Sequence, residues 1–233
     1  MRFGRGMRQL VCVVFLLLIG VGGYGQTLPA KEEYQPQPGQ IGKDVMWLPT
    51  ETALAETMLN LAEVTAKDYV IDLGSGDGRI VITAAKRGAR SLGIEYNPDL
   101  VALSQRNAAR EGVGDRTRFV KADIFESDFS AATVITMFLL PELNLQLRPR
   151  ILDLKPGTRV VSNSFDMVEW QPDKEIALTK AEGCDTVYCR AFLWIVPAKV
   201  AGIWKLPQGD LVLRQEFQVI SGELGSGGEH LAV

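Results

Sequence analysis

Apolar positions recur along the chain at two periods, and the alternation between them outlines an architecture. Leu54, Met58 and Leu61 fall at helical spacing within Glu51 to Val64, and Thr50 can cap that helix. Tyr69 to Leu73 is a short apolar run that meets a glycine cluster, the pattern of a buried strand. Arg79 to Lys86 returns to helical spacing, with Ile80, Val81, Ala84 and Ala85 on one face and Gly88 as the stop. Ser91 to Tyr96 predicts a second strand, Pro98 to Glu111 a helix, and Thr117 to Ala122 a third strand. Thr133 to Leu139 and Thr158 to Phe165 predict two more. Between them Leu143, Leu147, Ile151 and Leu154 are helix-spaced around Pro149, which predicts a kink or two helical pieces. Strands alternating with helices imply an α/β fold, a parallel sheet covered on both faces. Ile176 to Thr179 and Thr186 to Val196 follow without a helix between them, which predicts an antiparallel finish.

The two ends of the chain depart from this pattern. Arg2, Arg5 and Arg8 precede an apolar run from Leu10 to Val21, and small residues flank Tyr24. Residues 1–25 therefore read as a signal peptide, or as a signal anchor that would associate the chain with a membrane. The expected location is exported or membrane-tethered. Residues 26–45 carry Pro29, Pro36 and Pro38 and read as an extended, mobile linker. Residues 46–199 form the expected main domain. Residues 200–233 read as a β-hairpin around Pro207-Gln208-Gly209-Asp210, followed by a flexible Gly-rich tail.

Composition narrows the chemistry. With 233 residues, 46% hydrophobic and 23% charged, the chain can bury an ordinary globular core. Its net charge of −3 supplies no basic field, so a nucleic-acid partner is not expected. The single histidine, His230, lies in the Gly-rich tail. Ser–His–Asp and Cys–His nucleophile systems and histidine-based zinc sites are thereby disfavoured, and no metal is expected. Cys184 and Cys189 are five apart in a strand-like stretch and so point to opposite faces. Both are expected as ordinary thiols.

The chemistry-bearing motif is Val70-Ile-Asp-Leu-Gly-Ser-Gly-Asp-Gly-Arg-Ile80. A strand ends near Asp72, glycines follow at 74, 76 and 78, and a helix begins, which lets backbone turn sharply against a ligand. The first strand–helix crossover of an open parallel sheet is a usual ligand crevice. The third glycine comes one residue early for a dinucleotide fingerprint, and Asp72 and Asp77 place negative charge where a pyrophosphate would lie. That charge suits a ligand with positive charge near the loop, as in S-adenosylmethionine, whose ammonium lies beside a sulfonium. Glu95 closes the second strand and can accept from ribose hydroxyls. Tyr96 can lie against adenine. Asp123 closes the third strand and can accept from the adenine amine, with Ile124 packing beside it.

These residues resemble the seven-stranded, class I S-adenosylmethionine-dependent methyltransferases over roughly residues 46–199. The resemblance implies a Rossmann-like sheet of order 3-2-1-4-5-7-6 with strand 7 antiparallel, in keeping with the joined final pair. It implies S-adenosyl-L-methionine as cofactor, held by Asp72, Gly74, Ser75, Gly76, Gly78, Glu95, Tyr96, Asp123 and Ile124. The Asn/Asp-Pro-Pro-Tyr clamp of many amine methyltransferases is missing; Thr136-Met-Phe-Leu-Leu-Pro-Glu142 stands there instead. Val45-Met-Trp-Leu-Pro-Thr50, the Gly-Ser-Gly-Asp-Gly-Arg-Ile loop and the Leu-Leu-Pro run look like the group of the ATP synthase c-subunit lysine methyltransferases. Trp47, Thr50 and Phe138 become acceptor-side candidates, and a protein lysine the expected methyl acceptor. A small-molecule O- or N-methyltransferase and a non-catalytic cofactor-binding module remain as alternatives.

Overall fold

The computed structural model describes residues 34–226 and 229–232, with side chains as far as residue 225. The expected signal segment therefore lies outside the described residues, as does the first part of the expected linker. No helix among the described residues is long and apolar enough to cross a membrane.

The elements run α1 (Thr52–Leu61), β1 (Tyr69–Leu73), α2 (Arg79–Lys86), β2 (Arg90–Glu95), α3 (Pro98–Arg110) and β3 (Thr117–Lys121). They continue with β4 (Val134–Met137), α4 (Pro141–Leu152), β5 (Arg159–Asn163), β6 (Lys174–Ala177) and β7 (Arg190–Ile195). The main sheet has seven strands in the order β3-β2-β1-β4-β5-β7-β6. β1 pairs in parallel with β2 and β4, and β7 is antiparallel to both β5 and β6. This is the order that the resemblance implied.

Alternation along each central strand sends successive residues to opposite faces. Val70, Val134, Val161 and Leu193 pack with Leu54, Met58 and Leu59 of α1 on one face. Ile71, Ile135, Val160 and Trp194 pack with Leu147 and Ile151 of α4 on the other. A third cluster joins α2 to α3 through Val81, Ala85, Val101 and Phe119. Asp72 shares a strand with these apolar residues and is the charged exception among them.

Four expectations need correction. Thr50 does not cap α1, whose N-cap is Glu51 with no side-chain capping bond; the Thr50 hydroxyl instead accepts from Asn163 Nδ2 at 3.1 Å. Of the kink or two pieces expected at Pro149, the two pieces are not found: α4 begins at Pro141 and runs as one element through Pro149. The strand expected from Thr186 begins only at Arg190, and a loop occupies the preceding residues. The C-terminal hairpin is part of a four-stranded antiparallel sheet, β8 (Gly202–Leu206), β9 (Gly209–Glu216), β10 (Val219–Ser226) and β11 (Glu229–Ala232), in the order β11-β10-β9-β8.

Candidate functional site

The glycine loop is tied to the sheet before it reaches the helix. The backbone N–H groups of Gly74 and Ser75 both donate to the Ile94 carbonyl of β2, at 2.9 and 3.0 Å. Two of the glycines have distinct steric reasons. At Gly76 (φ 54°) a Cβ would lie 2.7 Å from the Trp47 Nε1 atom. At Gly78 (φ 84°), the N-cap of α2, it would lie 2.9 Å from the Phe119 ring and the Ser104 side chain. Ser75 turns its hydroxyl inward toward Gly93, where it is buried without a partner, so it offers the cavity mainly backbone.

Three carboxylates surround this loop. Asp72 is buried, and the Thr136 hydroxyl donates to its Oδ1 at 2.6 Å. Burial pushes its carboxyl up to about 7, against the Thr136 hydrogen bond, and the nearby charges of Glu95 and Asp77 push the same way. Glu95 accepts from the backbone N–H of Gly76 at 2.9 Å through one oxygen and from that of Asn97 at 2.8 Å through the other. Asp123 accepts from the Phe125 backbone N–H at 2.9 Å and from Lys43 Nζ. The Lys43 hydrogen bond, followed by the Phe125 one, holds its carboxyl below the usual range. Asp77 contributes less free charge than the sequence suggested. Arg79 grips it through Nη2 at 2.6 Å and Nε at 3.0 Å, and also donates to the Thr50 carbonyl.

The segment expected as the end of a mobile linker is a strap along the same cavity. The Gly39 N–H donates to the Trp47 carbonyl and the Trp47 N–H to the Gln40 carbonyl, at 2.9 Å each. Ile41 bridges Met46, and the Gly42 N–H donates to the Val45 carbonyl at 3.0 Å. Lys43 reaches from the strap to Asp123, with its Nζ 4.9 Å from the centroid of the Tyr96 ring, which is half exposed. Ile124 lines the cavity beside them.

The far end is aromatic. Phe138 follows β4, Phe165 follows β5, and Tyr188 precedes β7. Their ring centroids are 6.1 Å (Phe138–Phe165), 5.3 Å (Phe138–Tyr188) and 6.0 Å (Phe165–Tyr188) apart. Ser164, at φ 60°, makes the turn before Phe165; its hydroxyl bonds Asn163 Oδ1 at 2.8 Å, and Asn163 in turn bonds Thr50. Phe165 and Tyr188 were not singled out from sequence. Tyr188 belongs to a loop closed by a disulfide between Cys184 and Cys189, Cα atoms 5.7 Å apart, which corrects the reading of two separate thiols. The opposite-face argument assumed a strand through both cysteines. The intervening Asp185-Thr186, bending at Thr186 and Val187, was the available sign of a loop.

The strap, the loop from Gly74 to Asp77, the three carboxylates, Tyr96, Ile124 and the three rings line one cavity of about 420 Å³, a size suited to a small ligand; of the expected cofactor residues Gly78 is not in the lining. The lining is acidic on the side of β1, β2 and β3, where Asp72, Glu95 and Asp123 stand, and aromatic on the side of β4, β5 and β7, where the three rings stand, with Trp47 against the glycine loop at Gly76. Among the described residues no group of three or more His, Cys, Asp or Glu side chains is placed to hold a metal ion. The donor set fits S-adenosylmethionine, a ligand whose ammonium, ribose hydroxyls and adenine amine all donate, because three carboxylates face a glycine loop approached closely by Trp47.

The family model described as the ANTKMT methyltransferase domain matches residues 72–174. A protein-lysine N-methyltransferase of Saccharolobus islandicus is 42% identical over 147 residues, covering 62% of this chain and 91% of that one. The ATP synthase c-subunit lysine N-methyltransferase of Xenopus laevis is 36% identical over 61% of this chain and 61% of its own length, so the match spans under two thirds of that relative. The crystal structure of an RNA methyltransferase from Salinibacter ruber, with S-adenosyl-L-homocysteine bound, superposes with a TM-score of 0.60 at 44% identity. It covers 66% of this chain and 96% of that one.

Proposed function

Because this chain belongs to the class I S-adenosylmethionine-dependent methyltransferases, in the family of the lysine methyltransferases just described, we propose that it methylates the side-chain amine of lysine in a protein. The observation that carries this reading is the division of the cavity into an acidic end and an aromatic end. S-adenosylmethionine supplies an electrophilic methyl group on a sulfonium: the acceptor's lone pair forms the new bond while the carbon–sulfur pair stays on sulfur. Asp72 meets the ligand's ammonium, Glu95 its ribose hydroxyls and Asp123 its adenine amine, with Tyr96 and Ile124 flanking the base. Trp47 closes over the glycine loop, and the Thr50–Asn163 bond fixes the strap against the end of β5.

The acceptor amine must lose its proton before it can act as a nucleophile. Leu139 and Leu143 beside the rings disfavour a solvated charge and so lower the amine's proton affinity. Positioning and exclusion of water are the protein's main tasks in such a displacement, and neither needs a histidine.

A second reading, an RNA acceptor, is favoured by the likeness to the Salinibacter ruber protein, which is described as an RNA methyltransferase. The test offers both. The purified full chain is incubated with methyl-labelled S-adenosylmethionine and the separated protein, RNA and small-molecule fractions of a cell extract. Label in the protein fraction, recovered as methyl-lysine after acid hydrolysis, is the expected result. Label confined to RNA or to the small molecules would overturn the lysine reading, and absent turnover with tight cofactor binding would mark a binding module.

The Cys184–Cys189 disulfide supports export or tethering by the N-terminal segment, since such bonds persist in oxidising compartments. Thiol alkylation before and after reduction, on protein taken directly from cells, tests this. Cys184 and Cys189 alkylated in both samples would count against it.

A further inference from the structure

Two aromatic clusters occur among the described residues, and they differ in kind. Trp170 and Trp194 are fully buried, with Phe192 and Phe217 packed on them, and they belong to the core. Phe138, Phe165 and Tyr188 are each only half-buried and open onto the cavity. Core packing accounts for the first cluster and leaves the second unexplained.

The second cluster packs ring against ring as one aromatic wall open to the cavity. The Phe138 and Phe165 rings lie within 23° of parallel, and Tyr188 stands across them at 63° and 54°. Each ring comes from a different loop, and the structure fixes two of them by identifiable local devices. Phe165 is aimed by Ser164, a residue with side chain in the left-handed region, where strain persists only if its surroundings enforce it. The Asn163–Ser164 and Asn163–Thr50 bonds supply that enforcement. Tyr188 is aimed by the disulfide loop: Cys184 is buried as the anchor, Val187 projects outward at 86% exposure, and the Tyr188 N–H donates to Thr186 Oγ1 at 3.0 Å.

We propose that Phe138, Phe165 and Tyr188 form the acceptor subsite, an open, one-sided aromatic cage against which the lysine nitrogen lies as it becomes a methylated cation, and that the Cys184–Cys189 loop is the positioning element for its third ring. The proposal rests on the lysine reading above. A cation within about 6 Å of an aromatic centroid is attracted to the negative face of the ring. The attacking amine is neutral, whereas each methylated product carries a positive charge. The cage is therefore more complementary to the nitrogen late in the reaction than to the free amine, the kind of differential binding that raises rate. It also discriminates against uncharged products, such as methylated oxygens.

The test uses the full chain saturated with S-adenosylhomocysteine and a direct binding measurement. The probe is Nα-acetyl-Nε-trimethyl-lysine amide, compared with its uncharged tert-butyl isostere, titrated by NMR. The trimethylammonium probe is expected to bind at least tenfold more tightly than the isostere. Phe165→Ala and Tyr188→Ala are each expected to lose at least fivefold of that affinity, with S-adenosylhomocysteine binding unchanged within twofold. Tyr188→Phe should retain the preference and Phe165→Leu should lose it, which separates the cage from mere misfolding. The Cys184→Ser/Cys189→Ser double variant should behave as a partial Tyr188→Ala. Equal binding of the charged and neutral probes, or variants that leave the preference intact, would overturn the cage. If the same wild-type preparation still deposits methyl-lysine, the cage alone has failed. If it labels only RNA or small molecules, the lysine reading has failed and the cage with it.

Discussion

The two ends of the cavity are built by different physical means. At the acidic end, Asp72, Glu95 and Asp123 stand at or just past the carboxyl ends of β1, β2 and β3, three neighbours in one sheet. Strand pairing alone brings them together, and each lies one or two residues from a recognisable apolar run. At the aromatic end, Phe138, Phe165 and Tyr188 come from loops after β4, after β5 and before β7. Their meeting depends on sheet order, on a strained turn at Ser164 and on a disulfide. The regular scaffold positions the carboxylates, and irregular loops position the rings.

Breaking the acidic end should have the largest effect. Asp72→Ala and Glu95→Ala should each weaken S-adenosylhomocysteine binding at least tenfold, about 1.4 kcal/mol, measured by calorimetry on folded protein. Unchanged affinity would remove the site assignment, whereas any matching loss from Phe138→Ala would erase the contrast between the two ends.

A pH series should sharpen the same end. The Asp72 carboxyl is raised to about 7 by burial, from 3.8 when free. Between these values the folded chain binds a proton that the unfolded chain lacks, so Asp72 makes stability fall as pH rises through the window. A bound ammonium favours the ionised carboxylate. S-adenosylhomocysteine affinity should therefore climb as pH rises toward about 7 and level off above it. Asp72→Asn should flatten that climb. A wild-type affinity independent of pH would mean that the ligand's ammonium does not meet Asp72.

The smallest effect belongs to the strap. Lys43 occupies Asp123 through an exposed ion pair, and such pairs contribute little. Lys43→Ala should tighten S-adenosylhomocysteine binding by no more than about threefold, by freeing Asp123 of a competitor. Weaker binding would assign Lys43 to holding the ligand instead.

Legibility followed the same division. The strands, their alternation with helices and the strand-end carboxylates were readable because each rests on a contiguous signal: an apolar run, a glycine cluster, a single acidic residue at a fixed place; the strand order came from the family resemblance. Phe138 lay inside an expected strand, and was singled out because its segment stands where many amine methyltransferases carry the Asn/Asp-Pro-Pro-Tyr clamp. Phe165 was hidden inside a strand expected to run through it, while the real strand stops at Asn163 and the chain turns through a non-glycine residue. Tyr188 was hidden because Thr186 to Val196 reads as one apolar stretch, and only closure of the disulfide shows that its start is a loop. The strap was misjudged because its contacts, to Gly76 and Asp123, are long-range. Asp77 was overvalued because its partner Arg79, two residues on, was read only as the start of a helix.

The most direct measurement is a crystal structure of the full chain with S-adenosylhomocysteine bound. The expected density places ribose hydroxyls on Glu95, the adenine amine on Asp123 with Lys43 displaced, and the sulfur facing the space between Phe138, Phe165 and Tyr188. A sulfur directed away from those rings, toward Asp123 or into solvent, would contradict the division of the cavity into a donor end and an acceptor end.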